Sequence, residues 1–237
     1  MHFSTISLLK DLHEQSEGQS FARARAQFRG TDEEFSKLLK QYLGMLPSRK
    51  GKFLKQHGFS TADVQSSQGT TMSLAISEDM GRFLHNLTLM RRPARILELG
   101  SSYGVSTLYL ASALQQLGQG EMIASELDSM KCGKLKEHLK IAGVESLVAV
   151  WEGDVFDLFN NLEGHFDLVF MDVWSTLYLK IFQRLEAFLR PGSVVITDNM
   201  YTSPDEVADF KQYLSASPQF SSSTLDFESG VEFTVMV

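Results

Sequence analysis

The sequence has a single cysteine, Cys132, and only five prolines among 237 residues. One thiol cannot close an internal disulfide, which excludes the disulfide-stapled secreted scaffolds and fits a reducing compartment. No apolar run approaches the roughly 18 residues that a membrane helix requires. The opening "MHFSTISLLKDLHEQ" has too short an apolar stretch, and too little leading positive charge, for a secretory signal. Basic residues number 22 against 29 acids, a net charge of −7. Phosphate-binding surfaces usually carry a basic surplus, so nucleic acid is not expected as a partner. What is present is ordinary for a globular chain: 43% hydrophobic and 22% charged residues. The expectation is a soluble cytoplasmic protein with one large α/β domain or one domain and an appendage.

Two regions differ in texture. Residues 1–70 are polar and read as a helical extension, either a cap over a substrate or an arm for a homodimer. Thr31 and Glu34 form a capping-box pattern ahead of an apolar face made by Phe35, Leu38, Leu39, Tyr42 and Leu43. The following "LPSRKGKFLKQHGFSTADVQSSQGTT" has weak periodicity and reads as a binding loop or packing arm. Its basic cluster of Arg49, Lys50, Lys52 and Lys55 reads as a solvated face, with attraction of an anionic substrate as the alternative.

Residues 71–237 are regular. Ser77 is placed to cap a helix ending near Arg91-Arg92-Pro93. Strands then alternate with helices: "ARILELG", "EMIASEL", "LVAVWEG", "FDLVFMD" and "SVVITDN" are strands. Ser203, Pro204 and Glu206 read as the N-cap, first position and capping-box acid of a further helix. "FSSSTLDF" and "VEFTVMV" flank Glu228-Ser229-Gly230 as a hairpin. Continuous apolar strands alternating with helices predict a parallel sheet covered on both faces, seven strands in all, with at least one antiparallel strand from the hairpin. Periodicity does not give the strand order.

Each of the first five strands finishes on or beside an acid: Glu98, Glu126, Asp154, Asp172 and Asp198. Ligands of open parallel sheets bind outside the carboxyl ends of the strands. Asp154 has a competing explanation as a helix N-cap. Five strand-end acids together point to a ligand, because buried carboxylates are costly unless paired or liganded. The first turn, "ELGSSYGVS", has Gly100 and Gly104, but Ser102 stands where a dinucleotide fingerprint needs its middle glycine. Glu126, 22 residues past Gly104, is placed to bind a ribose diol. Glu98 could meet an amino group. A ribose, an amino group and no phosphate describe S-adenosylmethionine.

In order and spacing, "ILELGSSYGVSTLYLASAL", "ASELD", "GDVFD", "FMDVWSTLYL" and "VITDNM" resemble the class I S-adenosylmethionine-dependent O-methyltransferases, nearest to the metal-dependent catechol and caffeoyl-coenzyme A group. The resemblance implies a Rossmann-like α/β sandwich with sheet order 3-2-1-4-5-7-6, the last strand antiparallel. It implies that Glu98, Gly100, Ser102 and Ser106 surround the methionine part of the cofactor, and that Glu126 holds the ribose. Asp154 and Val155 would border the adenine, with Trp174 packed on its ring. Leu74, Ala75 and Ile76 would close over the cofactor. Asp172, Asp198 and Asn199 match the family's ligands for a divalent metal. Two carboxylates and an amide oxygen are hard donors, suited to Mg²⁺ or Ca²⁺. Asp172 would also be catalytic through that metal, which lowers the pKa of a small hydroxylated acceptor.

The sequence departs from the family at Ser175, where a lysine three residues after the aspartate would assist deprotonation. Serine is no general base at neutral pH without help. That leaves two other readings open: a metal-independent methyltransferase, acting on nitrogen, on oxygen or on a hydroxylated tRNA base, and a protein that binds cofactor without turnover.

Overall fold

A computed structural model describes residues 3–59, 75–202 and 204–237 of the chain. Three helices come first: α1 (Phe3–Gln27), α2 (Asp32–Leu43) and α3 (Pro47–Gln56). The Thr31 capping box forms as expected. Thr31 Oγ1 accepts from the Glu34 amide at 3.2 Å, and Glu34 Oε2 accepts from the Thr31 amide at 2.8 Å. α3 lies in the segment where periodicity was too weak to predict a helix. Its Phe53 is buried, and the ring sits 6.4 Å from Tyr42 of α2, so contact with α2 supplies what the pattern lacks. Leu74, the side chain of Lys55 and Ser203 lie outside the described residues.

α4 (Glu78–Arg91) opens on Ser77, whose hydroxyl accepts from the Met80 amide at 3.1 Å. The strands β1 (Arg95–Leu99), β2 (Glu121–Glu126), β3 (Val148–Glu152), β4 (Leu168–Met171) and β5 (Val194–Thr197) alternate with α5 (Val105–Leu117), α6 (Ser129–Ala142), α7 (Val155–Phe159) and α8 (Tyr178–Leu185). α9 (Ala208–Ala216) and the hairpin β6 (Phe220–Leu225) and β7 (Val231–Met236) complete the chain. The sheet order is 3-2-1-4-5-7-6. β1 to β5 run parallel and β7 pairs antiparallel with β5 and β6, as expected.

Period-two alternation sorts the strand residues between two apolar layers. Ile96, Phe170 and Ile196 join the layer formed with α4, α5 and α6. Leu97, Val169, Met171 and Val195 join the layer formed with α8 and α9. Each fully buried side chain of this kind contributes about 1.5–3 kcal/mol relative to exposure. Leu9 and Leu12 of α1 belong to the first layer, so part of the N-terminal extension is integral to the core.

Two local expectations are corrected. Asp172 and Asp198 do not end their strands but follow them, after Met171 and Thr197. The last helix begins at Ala208 and not at Ser203, with residues 204–206 in turns. The Glu206 carboxylate receives the Ser175 hydroxyl.

Candidate active site

The carboxyl edge of the sheet is built by extending its ladder past the strands. The Asp172 amide donates to the Leu99 carbonyl at 2.9 Å, and the Asp198 amide to the Met171 carbonyl at 3.2 Å. The amides of Gly100 and Ser101 both donate to the Ser125 carbonyl. These bonds fix where the acids stand. Gly100 has φ +91°, and a Cβ there would lie 2.1 Å from the Asp172 carbonyl oxygen, so only glycine allows the ends of β1 and β4 to come this close.

Ala75, Ile76, Gly100, Ser102, Ser106 and Asp172 line a small open cleft. Glu98 lies fully buried beside it. Thr107 Oγ1 donates to its Oε2 at 2.5 Å, and its Oε1 has no partner at hydrogen-bond distance among the described residues. Burial raises the Glu98 carboxyl from 4.5 to about 7. The hydroxyls of Ser106, Thr107 and Ser101 hold it back in part, and the charge of Glu126 adds to the rise. An orphan carboxylate oxygen at that cost fits a cationic ligand group.

Glu126 is clamped between two loops. Its Oε2 accepts from the Ser102 amide at 2.8 Å and its Oε1 from the Asp128 amide at 2.9 Å. A carboxylate has about four lone-pair sites, so half its capacity remains for a diol. Ser102 sits at φ +46°, and its buried hydroxyl also has no partner among the described residues. Ile76 is buried in the cleft wall, and the Ala75 amide donates to Ser16 of α1 at 3.3 Å. Asp154 caps α7 by accepting from the Phe156 amide at 2.8 Å, with Val155 half-buried behind it. Asp154 is exposed, so the capping explanation accounts for its position. Trp174 is exposed at the start of the turn after Asp172.

Asp172, Asp198 and Asn199 come together. Asn199 Nδ2 donates to Asp172 Oδ1 at 2.8 Å, and the Asn199 amide donates to Asp198 Oδ1 at 2.7 Å. Asn199 takes the left-handed conformation at φ +66°, which asparagine tolerates better than most residues. Burial first, then the charges of Asp198 and Glu98, push the Asp172 carboxyl well above the ordinary carboxylate range. Burial also raises Asp198, although bonds from Ser229 and the Asn199 amide oppose the rise. A buried and a half-buried carboxylate that resist joint ionisation suit a shared cation. The Asn199 amide turned over would complete three oxygen donors, so the residues fit a hard divalent ion.

Several contributors escape sequence reading. Ser229, part of the hairpin turn, donates its hydroxyl to Asp198. Tyr178 is buried with its hydroxyl on the Asp198 carbonyl at 3.0 Å. Thr107 and Ser101 flank Glu98. Thr107 had a detectable signal, a hydroxyl residue in the first turn of the helix after the glycine turn. Ser229 had none, since its contact spans 31 residues of sequence. Lys180 and His165 are exposed, and His57 is exposed with its Nδ1 2.8 Å from the Phe53 carbonyl.

Residues 97–200 match a methyltransferase domain family. A catechol O-methyltransferase of Niastella koreensis is 30% identical over 132 residues, 54% of this chain and 59% of that protein. Catechol O-methyltransferase B of Danio rerio is 28% identical over 203 residues, 79% of this chain and 74% of that one. In fold, the chain is similar to an O-methyltransferase of tomaymycin synthesis from Streptomyces achromogenes, solved with S-adenosylmethionine. There the TM-score is 0.64 at 21% identity, over 95% of this chain and 98% of that one. A Bacillus cereus O-methyltransferase solved with S-adenosylhomocysteine gives a TM-score of 0.63 at 19% identity, over 95% and 100%. The matched methyltransferase domain, the sheet order and the residues gathered at the strand ends make the chain similar to the class I S-adenosylmethionine-dependent O-methyltransferases.

Proposed function

We propose that the protein transfers the methyl group of S-adenosylmethionine to a hydroxyl of a small acceptor of the catechol type, with a divalent cation held by Asp172, Asp198 and Asn199. The observation that carries this reading is the convergence of the buried Asp198, the half-buried Asp172 and the Asn199 amide at the ends of adjacent strands, beside the cleft of Glu98 and Glu126. Bound there, Mg²⁺ or Ca²⁺ would orient the acceptor and make its hydroxyl more acidic. Glu98 receives the cofactor's amino group on its orphan oxygen. Glu126 holds the ribose, and the Ser102 amide fixes the carboxylate for that task. Ile76 covers the cleft, held through Ala75 to Ser16. With donor and acceptor fixed by the chain, most of the acceleration comes from orientation, since the sulfonium methyl is already activated.

The N-terminal helices act as a cap on this reading. α1 steadies the cover of the cofactor cleft, and α3 reaches the hairpin turn through the Ser48 amide, which donates to Asp226 Oδ1 at 3.1 Å. Metal-free transfer is the second reading, favoured by the Asn199 nitrogen already satisfying Asp172. Dialysis against a chelator separates the two. On the first reading turnover of catechol stops and returns with Mg²⁺. Full turnover in excess chelator leaves the second.

A further inference from the structure

The turn between Asp172 and α8 carries a polar pair that the reading above does not use. Ser175 opens the short 3-10 turn Ser175–Leu177, and its hydroxyl donates to Glu206, which stands after β5. The pair bridges the same two loops that carry Asp172 on one side and Asp198 with Asn199 on the other. Tyr178 locates it further. That buried hydroxyl, bonded to the Asp198 carbonyl, lies within electrostatic reach of Asp172, Asp198 and Glu206 together. Asp172 and Asp198 are committed to a cation on the proposed function, whereas Glu206 stands outside that set with the Ser175 hydroxyl on its carboxylate.

We propose that Glu206, working through the Ser175 hydroxyl, accepts the proton of the acceptor hydroxyl during methyl transfer. The inference rests on the methyltransferase reading. As the acceptor oxygen bonds to the methyl carbon, the S–CH₃ bond breaks and its electron pair stays on sulfur, leaving a neutral thioether. The acceptor proton passes to Ser175 Oγ while the Ser175 proton passes to the Glu206 carboxylate. Glu206 is exposed and returns the proton to water. Serine alone is too weak a base, but a serine backed by a carboxylate is a relay. Ser175 touches the acceptor and is catalytic in this scheme. Glu206 acts through it.

The test compares catechol with 4-nitrocatechol, whose hydroxyl is far more acidic and needs a base less. Wild type, Glu206→Gln and Ser175→Ala are assayed with saturating S-adenosylmethionine and Mg²⁺. Glu206→Gln is expected to lower kcat on catechol about 100-fold and on 4-nitrocatechol less than about 10-fold. Ser175→Ala should follow the same pattern, and the double variant should be no worse than the poorer single one. S-adenosylmethionine affinity by calorimetry should not change. Equal losses on both acceptors would mean that the pair only braces the two loops, and no loss on either would remove Glu206 from the reaction. A wild-type protein that methylates neither acceptor would overturn the methyltransferase reading and this inference with it.

Discussion

Glu98→Gln separates the energetic cost of this site from its use. Glu98 is fully buried with one carboxylate oxygen unpaired, and its carboxyl is raised from 4.5 to about 7. A carboxyl whose folded pKa is raised binds its proton more tightly in the folded state. Its contribution to stability is therefore present below pH 4.5 and lost as pH rises from 4.5 through about 7. At about 1.36 kcal/mol per pH unit, the loss is on the order of 3 kcal/mol by pH 8. Glutamine has nearly the same shape, still accepts from Thr107, and does not titrate. Urea denaturation at pH 5 and pH 8 measures the difference. Glu98→Gln should be close to wild type at pH 5 and more stable by about 3 kcal/mol at pH 8. Asp172 and Asp198 are raised too, and since the Glu98 charge adds to the rise of Asp172, its removal favours the variant further at pH 8, in the same direction. Function should move the other way. Loss of a charge-assisted bond to the cofactor's amino group costs about 1.5–3 kcal/mol, a roughly 10- to 100-fold weaker Kd for S-adenosylmethionine. A stability difference that stays constant between pH 5 and pH 8 would refute the argument from burial. An unchanged Kd would refute the assignment of the amino group.

Two further outcomes follow from the same structure. Glu126→Ala removes the acceptor of the Ser102 and Asp128 amides and the proposed ribose ligand, so calorimetry should record at least a roughly 10-fold weaker S-adenosylmethionine affinity. At the opposite end of the sheet, Asp167 is buried with the Arg190 guanidinium at 2.6 Å and the Ala94 amide at 2.8 Å. Burial raises the Asp167 carboxyl, but the bonds from Arg190, Ala94 and Arg95 outweigh it and leave the value lowered. That contribution to stability is present above about pH 4 and is lost as pH falls through the depressed folded value. Asp167→Ala should cost about 2 kcal/mol in denaturant at pH 7, less than a fully buried pair because Arg190 is half exposed, and cofactor affinity should not change.

The fold was legible because its signals are local. Apolar strand runs and the Ser77 and Thr31 caps each act within a few residues, and each is found in place. α3 was illegible because its stability comes from contact with α2 and not from its own pattern. Glu206 has a contact of the same long-range kind: its carboxylate is bonded to Ser175, 31 positions earlier. Asp154 was ambiguous in the sequence, and a 2.8 Å bond to the Phe156 amide accounts for it as a cap.

The sequence by itself determined the alternation of strands and helices, the strand-end placement of Glu98, Glu126, Asp172 and Asp198, and the departure at Ser175. Periodicity and turn chemistry are written residue by residue, and a parallel sheet sends every such acid to one edge. Only the tertiary structure decided which of those acids bear cost and which do not. Burial orphaned one oxygen of Glu98, the parallel pairing of β4 with β5 set Asp172 against Asp198, and the hairpin brought Ser229 to Asp198. Desolvation and long-range hydrogen bonds depend on what packs around a group, which no window of sequence contains.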